Sequence, residues 1–411
     1  MSTTDRIVVA GASLGGLRTA EQLRRAGFVG EIVVVGDEPH MPYNRPPLSK
    51  EVLAGKAGFA SLAFRPKAAV ADVVWRLGAG PGSGVVAADL AGRTVRLGDG
   101  ESLAYDGLVV ATGLRPRRLD VPGPAGGRYT VRTLDDARAL QGALRPGARV
   151  VVVGAGFIGC EVAATARGLG AEVTVVEPEP LPLVRALGEL LARALLARHR
   201  AEGVRFALGR TVSRFVGTEE RVGGVVLDDG TRVAADVVVE AVGSLPNVEW
   251  LAGNGLDLRD GVLCDARLRV VGAPEGVVAV GDVAQFPHPR YDGVARRVEH
   301  WSVPGDSAKH AAKVLVGEGR EAFAPLPSFW SDQYAYRIQS FGAPGLGVAD
   351  VRVLDGDPVG DPDGDVLVGY HDRGGRLVGV AALGGAGVVA RAATYRAELT
   401  SDTSATQGAL T

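Results

Sequence analysis

One order of local elements occurs twice in this 411-residue chain, and it restricts the possible folds more than any other feature. Residues 7–38 contain an apolar run, a glycine-rich turn at 11–16, an amphipathic stretch and a second apolar run that ends in acidic residues. Residues 149–177 repeat this order around a glycine turn at 154–159. Short apolar runs on either side of such a turn and helix are typical of a βαβ unit. The sequence therefore predicts an α/β fold with two Rossmann-like dinucleotide-binding domains.

The second glycine turn carries a complete GxGxxG pattern. Gly154, Gly156 and Gly159 occupy its three positions, and Glu177 ends the following apolar run. Such glycines let backbone N–H groups at a helix start approach a pyrophosphate, and the acid accepts hydrogen bonds from ribose hydroxyls. We expect NADH on this turn. NADPH is disfavoured because Glu179 lies two positions after Glu177. The 2′-phosphate of NADPH would therefore meet two carboxylates and no cation.

The first glycine turn departs from this pattern at one position. Ser13 stands where the second glycine is expected, between Gly11 and the pair Gly15-Gly16. The acid of this unit is Asp37 or Glu38, and we favour Glu38. Each glycine turn could also serve only to pack a helix on a strand, which requires no ligand. Because the chain contains two complete units, this explanation is poor for both turns at once. Two adenine dinucleotides suit a flavin enzyme that uses a nicotinamide cofactor, so we expect FAD on the first unit.

Composition excludes several other functions. A formal net charge of −2 and a pI near 6.3 argue against nucleic acid or an anionic membrane as the main partner. Cys160 and Cys264 are far apart, and the six histidines form no metal-binding pair, so we expect no metal. The apolar stretch 377–390 is shorter than a spanning helix, and the N-terminus lacks a signal-peptide pattern. We expect a cytoplasmic protein whose redox chemistry comes from an organic cofactor.

The pattern changes after Pro325, where aromatic residues and short apolar runs predict a third domain. Strands are expected at 348–354 and 366–370, with a turn at 372–375 leading into a hairpin partner at 376–382. The loop 355–365 is acidic and rich in Gly and Pro, so it should be exposed.

Five further segments complete a resemblance to a known family. They are 42–50 (PYNRPPLSK), 110–113 (VATG), 243–247 (GSLPN), 279–282 (AVGD) and 329–334 (FWSDQY). With the two glycine turns, they resemble the FAD-dependent ferredoxin reductases of the pyridine nucleotide-disulfide oxidoreductase superfamily, the group that includes the reductases of bacterial aromatic dioxygenases. The resemblance extends over nearly the whole chain.

The resemblance implies a glutathione-reductase-like arrangement of domains. A discontinuous FAD-binding domain would comprise 1–112 and 245–322, and an NADH-binding domain would comprise 113–244. A C-terminal α+β domain would follow at 323–400, and a flexible tail at 401–411.

The resemblance also implies the site residues. Lys50, Glu161 and Trp330 would be catalytic: Lys50 near the reactive end of the flavin and paired with Glu161, which lies beside the nicotinamide. A solvated lysine, helix-dipole compensation and a core tryptophan are the alternatives for these three. The implied FAD contacts are Gly11, Ser13, Leu14, Gly15, Gly16, Asp37, Glu38, Arg45, Pro46, Lys50, Val85, Ala111, Thr112, Gly113, Arg132, Gly281, Asp282, Val303 and Trp330. The NADH contacts are Gly154, Gly156, Phe157, Ile158, Gly159, Glu161, Glu177 and Gly243.

The function implied is hydride transfer from NADH to FAD, followed by release of single electrons to a small acidic [2Fe–2S] ferredoxin. That carrier would serve a haem-thiolate monooxygenase or an aromatic dioxygenase. Arginines that could face it are Arg290, Arg296, Arg297 and Arg337. A rubredoxin reductase, an NADH oxidase and an NADH-responsive flavoprotein like apoptosis-inducing factor are alternatives. Thiol-based reduction is disfavoured because no cysteine lies in 39–56.

Overall fold

The computed structural model describes residues 5–401. Its α-helices in this range are α1 (Leu14–Arg25), α2 (Leu134–Ala143), α3 (Phe157–Gly168), α4 (Val184–Ala201), α5 (Val303–Leu315), α6 (Ala386–Thr394) and α7 (Arg396–Ser401). Short 3-10 helices are Pro46–Ser49, Phe59–Leu62, Ala68–Val70, Glu249–Leu251, Gly281–Val283 and Pro344–Leu346. None of the helices within residues 5–401 combines the length and apolarity that crossing a bilayer requires.

The strands are numbered in chain order. They are β1 (Arg6–Ala10), β2 (Glu31–Gly36), β3 (Val74–Leu77), β4 (Val85–Asp89), β5 (Thr94–Leu97), β6 (Ser102–Ala104), β7 (Gly107–Val110), β8 (Leu114–Pro116), β9 (Arg128–Tyr129), β10 (Arg149–Val153), β11 (Glu172–Glu177), β12 (Arg205–Leu208), β13 (Val212–Gly217), β14 (Val222–Leu227), β15 (Arg232–Ala234), β16 (Val237–Glu240), β17 (Ser244–Pro246), β18 (Val262–Leu263), β19 (Val277–Ala279), β20 (Ala284–Pro287), β21 (Ala295–Arg297), β22 (Ser328–Gln333), β23 (Tyr336–Gly342), β24 (Val351–Asp355), β25 (Val366–His371) and β26 (Leu377–Gly384).

The first βαβ unit belongs to a parallel sheet. Its strand order is β19-β7-β1-β2-β3, and every neighbouring pair in it is parallel. Helices α1 and α5 pack together on one face, where Ile7, Val9 and Ala308 are fully buried. Val8 and Leu108 enter a separate core on the other face. Covering both faces explains why these strands are continuous apolar runs rather than alternating ones.

The second βαβ unit repeats this arrangement. Its parallel sheet has the order β12-β11-β10-β16-β9. Val150 and Val152 face a core shared with α3 and α4, while Val151 and Val153 face a three-stranded antiparallel sheet, β13-β14-β15. The predicted α/β architecture with parallel Rossmann-like sheets is therefore confirmed.

The two units are joined by a pair of antiparallel strands, β8 and β17. Thr112 Oγ1 donates to the carbonyl of Asn247 at 2.6 Å, and Asn247 Nδ2 donates back to the carbonyl of Thr112 at 2.9 Å. Arg115 extends this link through an ion pair with Glu249. The predicted domain boundaries at 112/113 and 244/245 lie at this link, and they stay a prediction.

A third sheet is formed by the strands that follow α5 in the chain. It is antiparallel, with the order β22-β23-β26-β25-β24, and α6 packs on it. The predicted hairpin is β25 and β26. The predicted strand at 348–354 begins three positions later, at Val351, because Gly347 and Asp350 form a turn between backbone groups at 3.1 Å. The acidic loop is largely exposed, as expected. Of the predicted tail at 401–411, Ser401 ends α7, and the other residues lie outside the described range.

Candidate functional site

A cavity of about 300 Å³ lies where the two glycine turns and the third sheet meet. The N-terminus of α1, the segment 43–50, the N-terminus of α3 and the start of α5 surround it, and β22 closes one side. Its walls consist of Ser13, Leu14, Tyr43, Arg45, Pro46, Leu48, Ser49, Lys50, Val131, Arg132, Phe157, Ile158, Glu161, Asp282, Glu299, His300, Trp301, Pro304, Phe329 and Trp330. This is the place where α/β sheets generally bind ligands, beyond the carboxyl ends of their parallel strands.

Lys50 and Glu161 form an ion pair in the wall of this cavity. Lys50 Nζ lies 2.8 Å from Glu161 Oε2, and the side chains are only 11% and 4% exposed. Ser49 also donates to Oε2, at 2.5 Å, and Ser331 donates to Oε1 at 2.7 Å. Buried charges need such pairing and hydrogen bonding to be tolerated. The predicted pairing is present, so Lys50 is not merely a solvated lysine.

Gly11 and Gly16 of the first turn are required by packing. A Cβ on Gly11 would lie 2.1 Å from the carbonyl oxygen of Ala111, and one on Gly16 would lie 2.0 Å from that of Gly11. Gly15 is less crowded, with Val280 Cγ1 at 3.4 Å. Ser13 precedes α1 in extended conformation without capping the helix through its side chain, and it lines the cavity.

In the second turn, packing likewise requires the first and the last glycine, but it does not require the middle one. A Cβ on Gly154 would lie 2.3 Å from the carbonyl oxygen of Ala241, and one on Gly159 would lie 2.0 Å from that of Gly154. A Cβ on Gly156 would have no protein atom within 4 Å, and the same holds for Gly243. The open space beside Gly156, at the start of α3, would allow the pyrophosphate of a dinucleotide to approach the turn closely.

Asp37 and Glu38 have different surroundings. Asp37 Oδ1 accepts from the backbone N–H of Gly84 at 2.7 Å, so Asp37 fastens the turn before β4; burial raises its pKa. Glu38 accepts from Arg45 Nη2 and Tyr43 Oη, each at 2.5 Å, and both partners line the cavity. This geometry favours Glu38 over Asp37 as a ribose-binding acid.

Glu177 lies at the end of β11 against its own glycine turn. Its Oε2 accepts from the backbone N–H of Ala155 at 2.5 Å, and its Oε1 accepts from that of Glu179 at 3.0 Å. Each carboxylate oxygen retains further acceptor capacity. Of the arginines around this turn, Arg185 pairs with Glu179, and Arg210, whose backbone N–H donates to the carbonyl of Glu177, pairs with Asp229.

Arg45, Arg132 and Asp282 form another wall of the cavity. Burial, and then the neighbouring guanidinium of Arg45, lower the pKa of Arg132, whose Nη2 lies 3.7 Å from Asp282 Oδ2. Burial raises the pKa of Asp282, and Arg132 opposes that shift. Asp282 does not cap the 3-10 helix it belongs to. Two guanidinium groups beside an acid suit a ligand that carries both phosphates and hydroxyl groups.

Two buried polar atoms, one in the cavity wall at His300 and one two positions further at Ser302, support the fit of this region to a large polar cofactor. His300 Nδ1 and Ser302 Oγ are buried without a hydrogen-bond partner among the described residues, and a buried polar atom normally has one. Burial also lowers the pKa of His300 to about 4, so its ring is neutral at pH 7. A flavin dinucleotide offers both donors and acceptors, and the residues present therefore fit it.

Trp330 lies at the mouth of the cavity rather than in a core. Its ring packs edge-on against Trp301, with 5.6 Å between centroids, and Trp301 is 43% exposed. The sequence alone does not assign a role to Tyr43, His300, Trp301 or Ser331. Tyr43 and Ser331 lie in the segments 42–50 and 329–334, so membership of these segments could have identified them as site residues. No pattern in the sequence marks His300 or Trp301.

The remaining predicted residues lie around the cavity or in its support. Ala111, Thr112 and Gly113 follow β7. Gly281 has a φ of 76°, and its backbone N–H donates to Ser307 Oγ at 3.0 Å. Val303 is fully buried at the start of α5. Val85 begins β4, next to the turn held by Asp37, and it does not line the cavity. Pro46 and Leu14 line it, as do Phe157 and Ile158.

Neither cysteine is available for chemistry. Cys160 is fully buried in α3, Cys264 is 2% exposed, and burial raises the pKa of both thiols. Low-pKa, accessible thiols are required for disulfide exchange. Within residues 5–401, no cluster of three or more His, Cys, Asp or Glu side chains could hold a metal ion.

The candidate docking arginines are largely engaged within the chain. Arg296 pairs with Asp292, Arg337 with Asp332, and Arg297 with both Asp260 and Glu299. Arg290 donates to the backbone carbonyl of Ala324. These ion pairs reduce the positive potential that the arginines would offer to an acidic partner.

Comparison with known proteins gives consistent matches. Residues 5–308 match the pyridine nucleotide-disulphide oxidoreductase family. A probable ferredoxin reductase of Castellaniella defragrans is 37% identical over 92% of this chain and 90% of its own length. The ferredoxin–NAD(+) reductase component of the anthranilate 1,2-dioxygenase system of Burkholderia cepacia is 38% identical, over 92% of this chain and 93% of the relative. Among solved structures, the covalent putidaredoxin reductase–putidaredoxin complex matches with a TM-score of 0.88 and 32% identity, covering 97% of this chain and 94% of the other.

Proposed function

Because the chain belongs to the pyridine nucleotide-disulphide oxidoreductase family, we propose that it is an NADH-dependent, FAD-containing ferredoxin reductase. FAD would bind along the first glycine turn and in the cavity, and NADH along the second. The parallel sheets would then form the FAD-binding and NADH-binding domains, and the antiparallel sheet a C-terminal domain. Bound flavin accepts two electrons as hydride and releases them singly, which is the chemistry that links a nicotinamide to an iron–sulfur carrier.

The Lys50–Glu161 pair is the observation that carries this proposal. It joins segment 42–50, which follows the first unit, to α3, which begins at the second glycine turn. A cation in the wall of this cavity would stabilise an electron-rich group that binds next to it. Glu161 holds the ammonium of Lys50 in place, and Ser49 and Ser331 hold Glu161. The pair therefore lies where ligands of the two turns would meet.

Other residues of the chain would bind and orient the two cofactors. Arg45 and Arg132 provide positive charge for phosphates, Glu38 faces a ribose, and Asp282 accepts from a ribityl hydroxyl. Gly156 and Gly243 leave space for the nicotinamide dinucleotide. Phe157 and Phe329, whose ring centroids are 4.8 Å apart, form an apolar wall next to the pair and limit the access of water.

The proposed electron acceptor is a small acidic [2Fe–2S] ferredoxin that serves an oxygenase. The names of the relatives support it, because they are ferredoxin reductases and one is a component of a dioxygenase system. Trp301 and Trp330 at the mouth offer the carrier an aromatic contact close to the flavin site. The paired arginines do not make a strongly basic face, so we expect the Michaelis constant for the carrier to depend only weakly on ionic strength.

Anaerobic stopped-flow spectroscopy tests this function. The purified protein is mixed with NADH and then with an oxidised [2Fe–2S] ferredoxin, while flavin and cluster absorbance are recorded. Rapid flavin bleaching followed by rapid cluster reduction is expected. Bleaching without cluster reduction would refute the ferredoxin as acceptor, and rapid oxygen consumption in air would then identify an NADH oxidase. Lys50→Met is expected to slow bleaching about 100-fold through lost charge stabilisation, with Lys56→Met, an exposed lysine a few positions after that segment, as the control.

A further inference from the structure

A line of buried polar side chains leads from Glu161 out of the cavity to α4. Ser331 Oγ lies 2.7 Å from Glu161 Oε1, and Gln333 Nε2 lies 3.0 Å from Ser331 Oγ. His199 Nε2 is 2.7 Å from Gln333 Oε1, and Tyr334 Oη is 3.2 Å from His199 Nδ1. Ser331 and His199 are fully buried and Gln333 is 1% exposed. Fully connected buried polar groups of this kind hold one arrangement, because each broken link leaves an unpaired group.

The hydrogen bonds in this line all have the same direction. An ionised carboxylate only accepts, so the single hydroxyl proton of Ser331 points at Glu161. Ser331 must then accept from the amide NH2 of Gln333, which leaves the amide oxygen of Gln333 facing His199. His199 therefore carries its proton on Nε2, and Nδ1 accepts from Tyr334. Reversing the amide of Gln333 would direct an oxygen at Ser331 and leave Glu161 Oε1 without its donor.

Two further observations concern the outer end of this line. Burial lowers the pKa of His199 to about 4, although the hydrogen bond to Gln333 opposes the shift, so the ring is neutral at pH 7 and has one protonated nitrogen. Tyr334 occupies the first position of the two-residue turn between β22 and β23 with a φ of 51°, a conformation unusual for a residue with a side chain. In this conformation Tyr334 contacts His199 both through the hydrogen bond and through ring packing, with 5.2 Å between the centroids.

We propose that Gln333 and His199 are positioning residues for hydride transfer, which fix the proton of Ser331 on Glu161 and thereby hold the Lys50–Glu161 pair in one orientation at the flavin site. This inference rests on the proposed function. Neither residue touches the cavity, so their effect on the reaction passes through Ser331 and Glu161. The geometry also makes α4 and the third sheet part of the support of Glu161, which follows the second glycine turn in α3.

Nuclear magnetic resonance of the histidine ring tests the direction of the line without using activity. The holoprotein is labelled with ¹⁵N-histidine, and the resonances of His199 are identified by their loss in His199→Gln. At pH 7 we expect the neutral form with the proton on Nε2. A proton on Nδ1, or a charged ring, would overturn the proposal because Gln333 would then have the opposite orientation or a different partner.

Kinetics of flavin reduction test the positioning role. We expect His199→Phe and Gln333→Met to lower the limiting rate of reduction by NADH about tenfold, with the half-saturating NADH concentration changed less than about twofold. His199→Gln, which keeps a donor toward Gln333, should restore most of the rate. The matched control is Tyr370→Phe, which removes a buried 2.8 Å hydrogen bond to Leu187 between the same helix and sheet, and its rate should equal that of wild type.

The outcomes separate this inference from the proposed function. If NADH does not reduce the wild-type flavin, the proposed function fails, whatever the variants do. If wild type is reduced and passes electrons to ferredoxin while Gln333→Met matches it, the positioning role is wrong. An equal loss in Tyr370→Phe and His199→Phe would also overturn it, since general loosening of the contact would then explain both. If His199→Phe does not fold, Gln333→Met and the ring tautomer still decide.

Discussion

The acidic residues that end the two βαβ units, Glu38 and Glu177, differ in their hydrogen-bond donors. In the first unit Glu38 accepts from two side chains, Arg45 and Tyr43, that come from the segment after β2. In the second unit Glu177 accepts from two backbone N–H groups, those of Ala155 and Glu179, beside its own turn. The first turn is also the more covered of the two, because Ser13 and Leu14 are half-buried, whereas Gly156 and Ile158 leave the second turn open to solvent. A covered site suits a resident cofactor, and an open one suits a cofactor that exchanges at every turnover.

The glycine turns themselves show the same contrast at a single position. Both units need their first and last glycines because the helix starts in contact with backbone carbonyls. The middle position is Ser13 in the covered turn and Gly156 in the open one. A cofactor bound as proposed on the covered turn would therefore lie where a hydroxymethyl group fits, while the open turn would allow closer approach.

The largest expected effect comes from the glycine that both units require for packing. In Gly16→Ala and in Gly159→Ala, the new Cβ would lie 2.0 Å from the carbonyl oxygen of Gly11 or Gly154, so the helix must move away from its strand. We expect each to lower the free energy of unfolding by more than about 3 kcal/mol. Denaturant unfolding measures this. Gly168→Ala, at an α3 position with open space, is the control, and wild-type stability in Gly159→Ala would contradict the packing explanation.

The second unit should also be sensitive to acid through His199. Its pKa is lowered to about 4 in the folded protein, against 6.5 in the unfolded chain. Between these values the unfolded state binds a proton that the folded state does not, so stability falls as the pH falls from 6.5 to 4. The contribution reaches about 3 kcal/mol at pH 4. Measured between pH 7 and pH 4.5, the free energy of unfolding should fall less steeply in His199→Gln than in wild type.

His288 and His300 remain in that variant, and their pKa values are also lowered to about 4 by burial. They contribute equally to both proteins, so the difference between the two slopes isolates His199. Identical slopes would show that His199 is protonated in the folded state at the same pH as in the unfolded chain.

The contrast between the units was only partly accessible from the sequence. Glycine turns and their acids are local patterns, so Gly154 to Glu177 could be recognised along the chain. The partners of Glu161 are not local, because Ser331 is 170 positions away and Ser49 is 112 positions away. The different partners of Asp37 and Glu38, Gly84 for the first and Arg45 for the second, are brought there by the tertiary fold. Trp301 and His300 come together with Trp330 and Phe329 only when the third sheet packs on the units.

The middle glycine provides the next test of the contrast. Gly156→Val places a side chain in open space, so we expect stability within about 1 kcal/mol of wild type. The half-saturating NADH concentration should rise at least about tenfold, because the side chain occupies the space used by the pyrophosphate. Flavin content should not change. Ser13→Ala is the corresponding change in the covered turn, and it should change neither the half-saturating NADH concentration nor the flavin content. Loss of flavin in Gly156→Val would contradict the assignment of the two turns.

The smallest expected effect concerns the acids with which the comparison began. Glu177→Gln removes a negative charge from the open turn while keeping the shape of the side chain, and Arg185 and Arg210 stay paired with Glu179 and Asp229. The preference for NADH over NADPH, measured as the ratio of kcat/KM values, should therefore fall only about fivefold, since no new cation faces the 2′-phosphate. In Glu38→Gln that ratio should stay unchanged while flavin is retained less tightly. Comparable kcat/KM values for the two cofactors in the wild-type protein would contradict the charge argument itself, because Glu177 would then exert no discrimination that its substitution could remove.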